Sequence, residues 1–226
     1  MLEIKEEVFK LLCDDKSGHG IDHIERVLNL SLKFASKEGA NKEITSLIAL
    51  LHDVDDYKLF GIRNSEDLTN ARRIMTDYNI NSDMQNIIIP ELNRIGYSKR
   101  LQGLEPTTLE GKIVSDADMC DGLGATGILR THAFSLKTNR LFFDRKSFPI
   151  EDIDAETYMK NYSSSGVCHM FEKILKLKDL MLTDSGKEEA INRYKIVVDF
   201  LYNLFQEENA TEWIEYLDNY QKRLVR

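Results

Sequence analysis

Apolar residues recur at helical spacing along nearly the whole chain. Leu, Ile, Lys and Glu are plentiful, and only three prolines and twelve glycines interrupt them. The pattern predicts an all-α fold with little support for strands. Helices are predicted at about 4–13, 21–38 (capped by Gly39), 42–53, 65–79, 82–95, 107–121 and 122–136. A polar, aromatic-rich loop through Phe142, Phe143, Asp144 and Pro149 follows. Further helices are predicted near 166–181, 185–207 and 210–223, with 158–165 as a mobile connection. On the second segment His23, Val27, Leu30 and Phe34 fall at i, i+4, i+7 and i+11, which puts His23 on the core-facing stripe. On the third, Ile44, Leu47, Ile48 and Leu51 share a face, with His52 one turn after Ile48 and Asp53 beside it. No internal repeat, low-complexity tract or linker is apparent, so residues 1–226 are expected to form a single domain.

Composition narrows the class. The 226 residues are 42% apolar and 30% charged, the balance of a globular protein rather than a disordered or fibrous one. The start, MLEIKEEVFKLL, lacks the basic opening and apolar run of a secretory signal, and no apolar stretch approaches the ~20 residues that cross a bilayer. A cytoplasmic location without membrane association is the expectation. Cys13, Cys120 and Cys168 contain no CxxC pair, which fits buried thiols in a reducing compartment. A formal charge of −8 would repel a nucleic-acid polymer over most of the surface. Small anions stay accessible to it if a metal ion and a few basic residues make one positive site.

The residues that could build such a site form a pattern: His19-x3-His23, then adjacent His52-Asp53, then Asp116-x-Asp118-x2-Asp121. A buried aspartate beside a buried histidine costs several kcal/mol of desolvation unless something neutralises it, and a divalent cation does so efficiently. Imidazole with carboxylate suits Mn, Fe, Ni, Co or Zn rather than the all-oxygen cage of Ca. His23, His52 and Asp118 each lie a turn from an apolar neighbour, namely Val27, Ile48 and Val114, so their inward convergence is expected. The run Asp121-Gly122-Leu123-Gly124-Ala125-Thr126-Gly127 lacks the lysine and hydroxyl of a P-loop, and close helix packing against small residues is the better account of it.

The segments GHGIDHIERV, ALLHDVDDYK and LEGKIVSDADMCDGLGATG, in that order, resemble the signature of the HD superfamily of metal-dependent phosphohydrolases. The likeness is close over about 17–135. The tail EKILKLKDLMLTDSGKEEAINRYKIVVDFL is similar to the C-terminal helices, about 150–226, of a small bacterial branch described as nucleotide hydrolases. The resemblance implies an all-α helical bundle binding a divalent ion (Mn, Mg, Ni, Co, Fe or Zn) through His23, His52, Asp53 and Asp118, with Asp116 as the fallback for the last position. It implies hydrolysis of a phosphate ester or anhydride in a nucleotide or related small metabolite, with oligomerisation open.

Around those ligands, Arg26, Lys58, Lys112 and Arg130 lie within a turn or two of motif residues and are expected to meet substrate phosphate, together with His19. Asp56, three residues after Asp53, is expected in catalysis, and Asp121, like Asp116, behind the ligands. Glu110 and Tyr97 are further pocket residues, whereas His132 and His169 read as structural or surface histidines. Gly20 stands where that branch carries an aspartate. The departure motivates an alternative, a metal- or nucleotide-binding regulatory module with little catalysis.

Overall fold

The computed structural model describes residues 1–13, 20–150 and 165–224, except the side chains of Lys58 and Leu224. Every element among these residues is helical. The order is α1 (Leu2–Leu12), α2 (Ile21–Glu38), α3 (Lys42–Leu51), α4 (Tyr57–Phe60), α5 (Ile62–Asp67), α6 (Thr69–Asp77), α7 (Ser82–Leu92), α8 (Tyr97–Leu101), α9 (Leu109–Asp121) and α10 (Gly124–Lys137). After the aromatic loop come α11 (Gly166–Glu172), a 3-10 helix (Ile174–Leu180), α12 (Asp184–Glu207) and α13 (Thr211–Leu224). His19 and most of the predicted mobile connection, 158–164, lie outside the described residues.

Helices α2, α3 and α9 pack against one another and form the centre of the fold. The α2 stripe is buried as its spacing requires: His23, Val27, Leu30 and Phe34 all face inward. Helix α3 is buried from Ile44 through Leu51, so it runs through the interior with no solvent face. The two are joined tightly. Gly39 closes α2 in the left-handed conformation (φ 74°), and the Asn41 side chain caps α3 by accepting from the backbone N–H of Glu43 and Ile44. The sharp reversal brings the start of α2 and the end of α3 to the same end of the bundle.

Around this trio α7 packs on α3 and α9, while α12 packs on α2, α9, α10 and the 3-10 helix. The 65–79 segment is not one helix. Leu68 adopts a left-handed conformation between α5 and α6, because the buried Asp55 carboxylate accepts from the N–H groups of Asn70 and Ala71 and so starts a new helix there. The 82–95 segment stops at Leu92. Nearby, the buried Glu91 side chain accepts from the N–H and hydroxyl of Thr107 and from the N–H of Thr108. The 166–181 segment tightens to 3-10 geometry after Lys173.

Asp116 has a comparable holding role. Its carboxylate accepts from the backbone N–H of Leu182 (2.9 Å) and from the N–H (2.8 Å) and hydroxyl (2.7 Å) of Thr183. It therefore ties the central helix to the start of α12 rather than standing behind a ligand. Gly186 lies against that carboxylate, and a Cβ at this position would sit 2.2 Å from Asp116 Oδ2. Gly186→Ala is expected to cost about 1–3 kcal/mol, as overpacking of a rigid site does. Urea denaturation monitored by circular dichroism measures it, and an unchanged midpoint would show that this junction yields freely.

Candidate metal centre

Two helix ends and one helix face meet at this end of the bundle. His23 lies in the first turn of α2, His52 directly follows the last residue of α3 with Asp53 next, and Asp118 and Asp121 lie on the C-terminal half of α9. His23 Nε2 is 3.2 Å from His52 Nε2, 3.3 Å from an Asp53 oxygen and 3.5 Å from an Asp118 oxygen. His52 Nε2 is 3.6 Å and 4.0 Å from the same two oxygens. Donor atoms bonded to one ion at about 2.1 Å are separated by roughly 3.0 Å when adjacent and 4.2 Å when opposite. The spacing is that of a ligand shell. His23, His52 and Asp118 offer donor atoms that all lie within 4.8 Å of one another.

The other ring nitrogens fix the electronic state of the two imidazoles. His52 Nδ1 is 2.8 Å from the Ala49 carbonyl oxygen, which can only accept, so Nδ1 carries the proton and Nε2 presents a lone pair. His23 Nδ1 is likewise 2.8 Å from Asp121 Oδ2. Two lone pairs and two carboxylates thus face one another in a site where each histidine side chain is 1% exposed, Asp53 is 12% and Asp118 is 22%. Such a cluster attracts a cation, and its imidazole and carboxylate donors would suit a first-row divalent ion. Burial by itself lowers the His23 pKa, but the Asp121 and Asp53 carboxylates outweigh it and Arg130's opposing charge, raising it to about 9. A proton is drawn to the place an ion would take.

The sign of that shift gives a test on metal-free protein. A histidine whose pKa is raised on folding stabilises the fold fully below its unfolded value near 6.5, and the contribution is lost as pH rises to about 9. Thermal melts of chelator-treated protein are expected to fall more steeply over that window in wild type than in His23→Gln. Parallel slopes would contradict it.

Asp121 is the hub behind His23. Besides His23 it accepts from Arg26 Nε (2.6 Å) and Nη2 (3.0 Å) and from Arg130 Nη1 (2.7 Å). Burial disfavours its charge, yet these donors hold it well below the usual carboxylate range. Arg26 and Arg130, expected at substrate phosphate, are thus both engaged at the centre through Asp121. Asp56 follows the His-Asp turn, its N–H donating to the Asp53 carbonyl and its own carbonyl opening α4. Lys58 lies within α4.

Other expected residues fall elsewhere. Lys112 is six residues before Asp118 on α9, about 120° away around the helix. Glu110 accepts from the Asn41 N–H at the opposite end of α9. Gly127 packs so closely on the Gly122 carbonyl that a Cβ would sit 2.1 Å from its oxygen, which gives the glycine run a packing role. His132 is exposed and stands edge-on to Phe142. Two residues escaped the sequence reading. Asp55 had a local signal, the run His52-Asp53-Val54-Asp55-Asp56. Lys173 had none, yet it interacts electrostatically with Asp118 and Arg130.

The HD domain family model matches residues 20–123, a span that contains His23, His52, Asp53, Asp118 and Asp121. YpgQ of Bacillus subtilis is 30% identical over 205 residues, covering 89% of this chain and 90% of that protein. The chain belongs to the HD-domain family. A solved Lactobacillus plantarum protein superposes with a TM-score of 0.79 at 32% identity, covering 92% of this chain and 96% of its own. An HD-superfamily hydrolase from Bacillus thuringiensis gives 0.71 at 29%, with coverages of 92% and 96%. YpgQ in complex with ADP gives 0.68 at 28%, with coverages of 91% and 93%. Among the described residues no helix of this HD-domain protein is long and apolar enough to cross a membrane.

Proposed function

We propose that this HD-domain protein is a metal-dependent phosphohydrolase. Its substrate is a phosphate ester or anhydride of a nucleotide or related small metabolite, and a metal-activated water is the nucleophile. The observation that carries the proposal is the convergence of His23 Nε2, His52 Nε2 and carboxylate oxygens of Asp53 and Asp118, with both Nδ1 atoms already bonded elsewhere. A divalent ion held by these four supplies Lewis acidity toward a phosphate oxygen and lowers the pKa of bound water. Mn, Mg, Fe, Co, Ni and Zn are the ions in question. The description of one relative as a hydrolase and the complex of YpgQ with ADP support the substrate class.

The chain's own groups have separable parts. Asp121 fixes the His23 tautomer and gathers Arg26 and Arg130, with Asp22 also acting on Arg26. Held at the centre, the two guanidiniums can meet an anion there despite the acidic charge of the whole protein. Asp118 is the most exposed of the four ligands and marks the side open to substrate. Asp56 is assigned to proton transfer with the nucleophilic water, and His19 and Lys58 to the phosphate.

Protein stripped with chelator and reloaded with each ion is to be assayed against nucleoside mono-, di- and triphosphates. Metal-dependent release of phosphate or diphosphate, absent after stripping and restored on reloading, is the expected result. Tight nucleotide binding with no turnover for any ion would instead identify a regulatory module.

A further inference from the structure

Asp53 stands on a turn, and that turn is clamped by a helix outside the ligand cluster. Residues 52–56 run between the end of α3 at Leu51 and the start of α4 at Tyr57, whereas His23 and Asp118 are carried by α2 and α9. Both residues after Asp53 are gripped by the start of α6. The Val54 carbonyl accepts from the Asn70 side-chain amide at 2.7 Å. The Asp55 carboxylate accepts from the backbone N–H of Asn70 at 2.9 Å and of Ala71 at 2.8 Å, and Asn64 of α5 donates its amide to the same group. Asn70 thus holds the turn at two points, once through its backbone and once through its side chain.

Helix α6 is a firm base for such a clamp. Its Ala71, Ile74 and Met75 are buried, and Arg73 pairs with Glu7 of α1 at 3.0 Å. Val54 and Asp55 are buried as well, so water does not readily replace the bonds they make. Precision is what a ligand needs, because a donor atom must lie within about 0.2 Å of its bonding distance. His52 has its own tie to α3 through the Ala49 carbonyl. The clamp therefore bears chiefly on Asp53, whose oxygen lies 3.3 Å from His23 Nε2.

We propose that Asn70 and Asp55 are positioning residues for the metal centre: by fixing the turn after Asp53 to α6, they hold the Asp53 carboxylate where it shares an ion with His23, His52 and Asp118. The proposal rests on the metal-centre reading above and adds to it two residues outside the ligand cluster.

Calorimetric titration with Zn²⁺, an ion that three protein ligands suffice to hold, tests it. Asn70→Ala removes the contact to Val54 but leaves the backbone N–H groups that start α6. It is expected to bind Zn²⁺ roughly tenfold more weakly, the scale for losing a group that orients a ligand. In an Asp53→Ala background the same substitution should change affinity by less than about twofold, as uncoupled changes do. In an Asp118→Ala background the tenfold loss should persist. Asp55→Asn should show the same dependence on Asp53, while Asp116→Asn, which breaks a structural carboxylate remote from the turn, should keep its affinity. An unchanged affinity in Asn70→Ala, or an equal loss with and without Asp53, would overturn the assignment and leave the metal centre standing. Failure of wild type to bind Zn²⁺ would remove the centre itself.

Discussion

Replacing His52 and Asp53 together by alanine is expected to abolish metal-dependent turnover, with a fall of at least about 10³-fold, some 4 kcal/mol of barrier. The substitution removes two of four converging donors, one of them the imidazole whose lone pair is fixed by the Ala49 carbonyl. His23 and Asp118 alone cannot hold a first-row ion tightly, so metal content by elemental analysis should fall with activity. The fold should survive. Helix α3 is anchored by its buried run from Ile44 to Leu51 and by the Asn41 cap, and both substituted positions lie beyond that run. A variant that keeps its circular dichroism and melting behaviour but loses metal and turnover is the expected outcome. Unchanged turnover would remove this site from the chemistry.

The inward placement of His23 and His52 was legible in the chain because both follow local periodicity. His23 belongs to the inward stripe of α2, and His52 comes where the apolar face of α3 ends. Connections between distant helices were not readable. His23 and Asp121 are 98 positions apart, and their bond depends on how α2 crosses α9. Arg26 and Arg130 carried the right charge, but sequence could not say that one carboxylate gathers both. Asp116 and Asp121 look alike within one motif. The helical turn separates them, directing Asp116 to the α12 junction and Asp121 to His23. Breaks in predicted helices share a cause, since Asp55 starts α6 inside a segment of unbroken helical periodicity through a contact made 15 residues away. Lys173 is the extreme case: nothing near it in sequence marks it, yet the fold couples its charge to those of Asp118 and Arg130.

Asp121→Asn should separate holding the metal from holding the protein. The carboxylate is 2% exposed and meets four donor atoms from His23, Arg26 and Arg130, whereas a neutral amide of the same shape presents one accepting oxygen. If that oxygen turns to the guanidiniums, the amide NH2 faces His23 Nδ1, which must then accept. The proton moves to Nε2 and the lone pair leaves the centre. If it turns to His23, Arg26 and Arg130 lose their counter-charge. Either arrangement is expected to lower metal affinity or turnover about 10- to 100-fold, as loss of a carboxylate behind a ligating histidine commonly does. Stability should fall by about 3 kcal/mol, the low end for breaking a buried ion pair, because both guanidiniums are partly exposed. Asp116→Asn is the control, since its carboxylate serves Leu182 and Thr183. It should lose stability with the metal affinity of the folded protein unchanged. If the two variants lost metal affinity equally, the distinction drawn between these carboxylates would fail. If Asp121→Asn bound metal as wild type does, His23 would be oriented by packing alone and the charge-coupled account of this centre would be wrong.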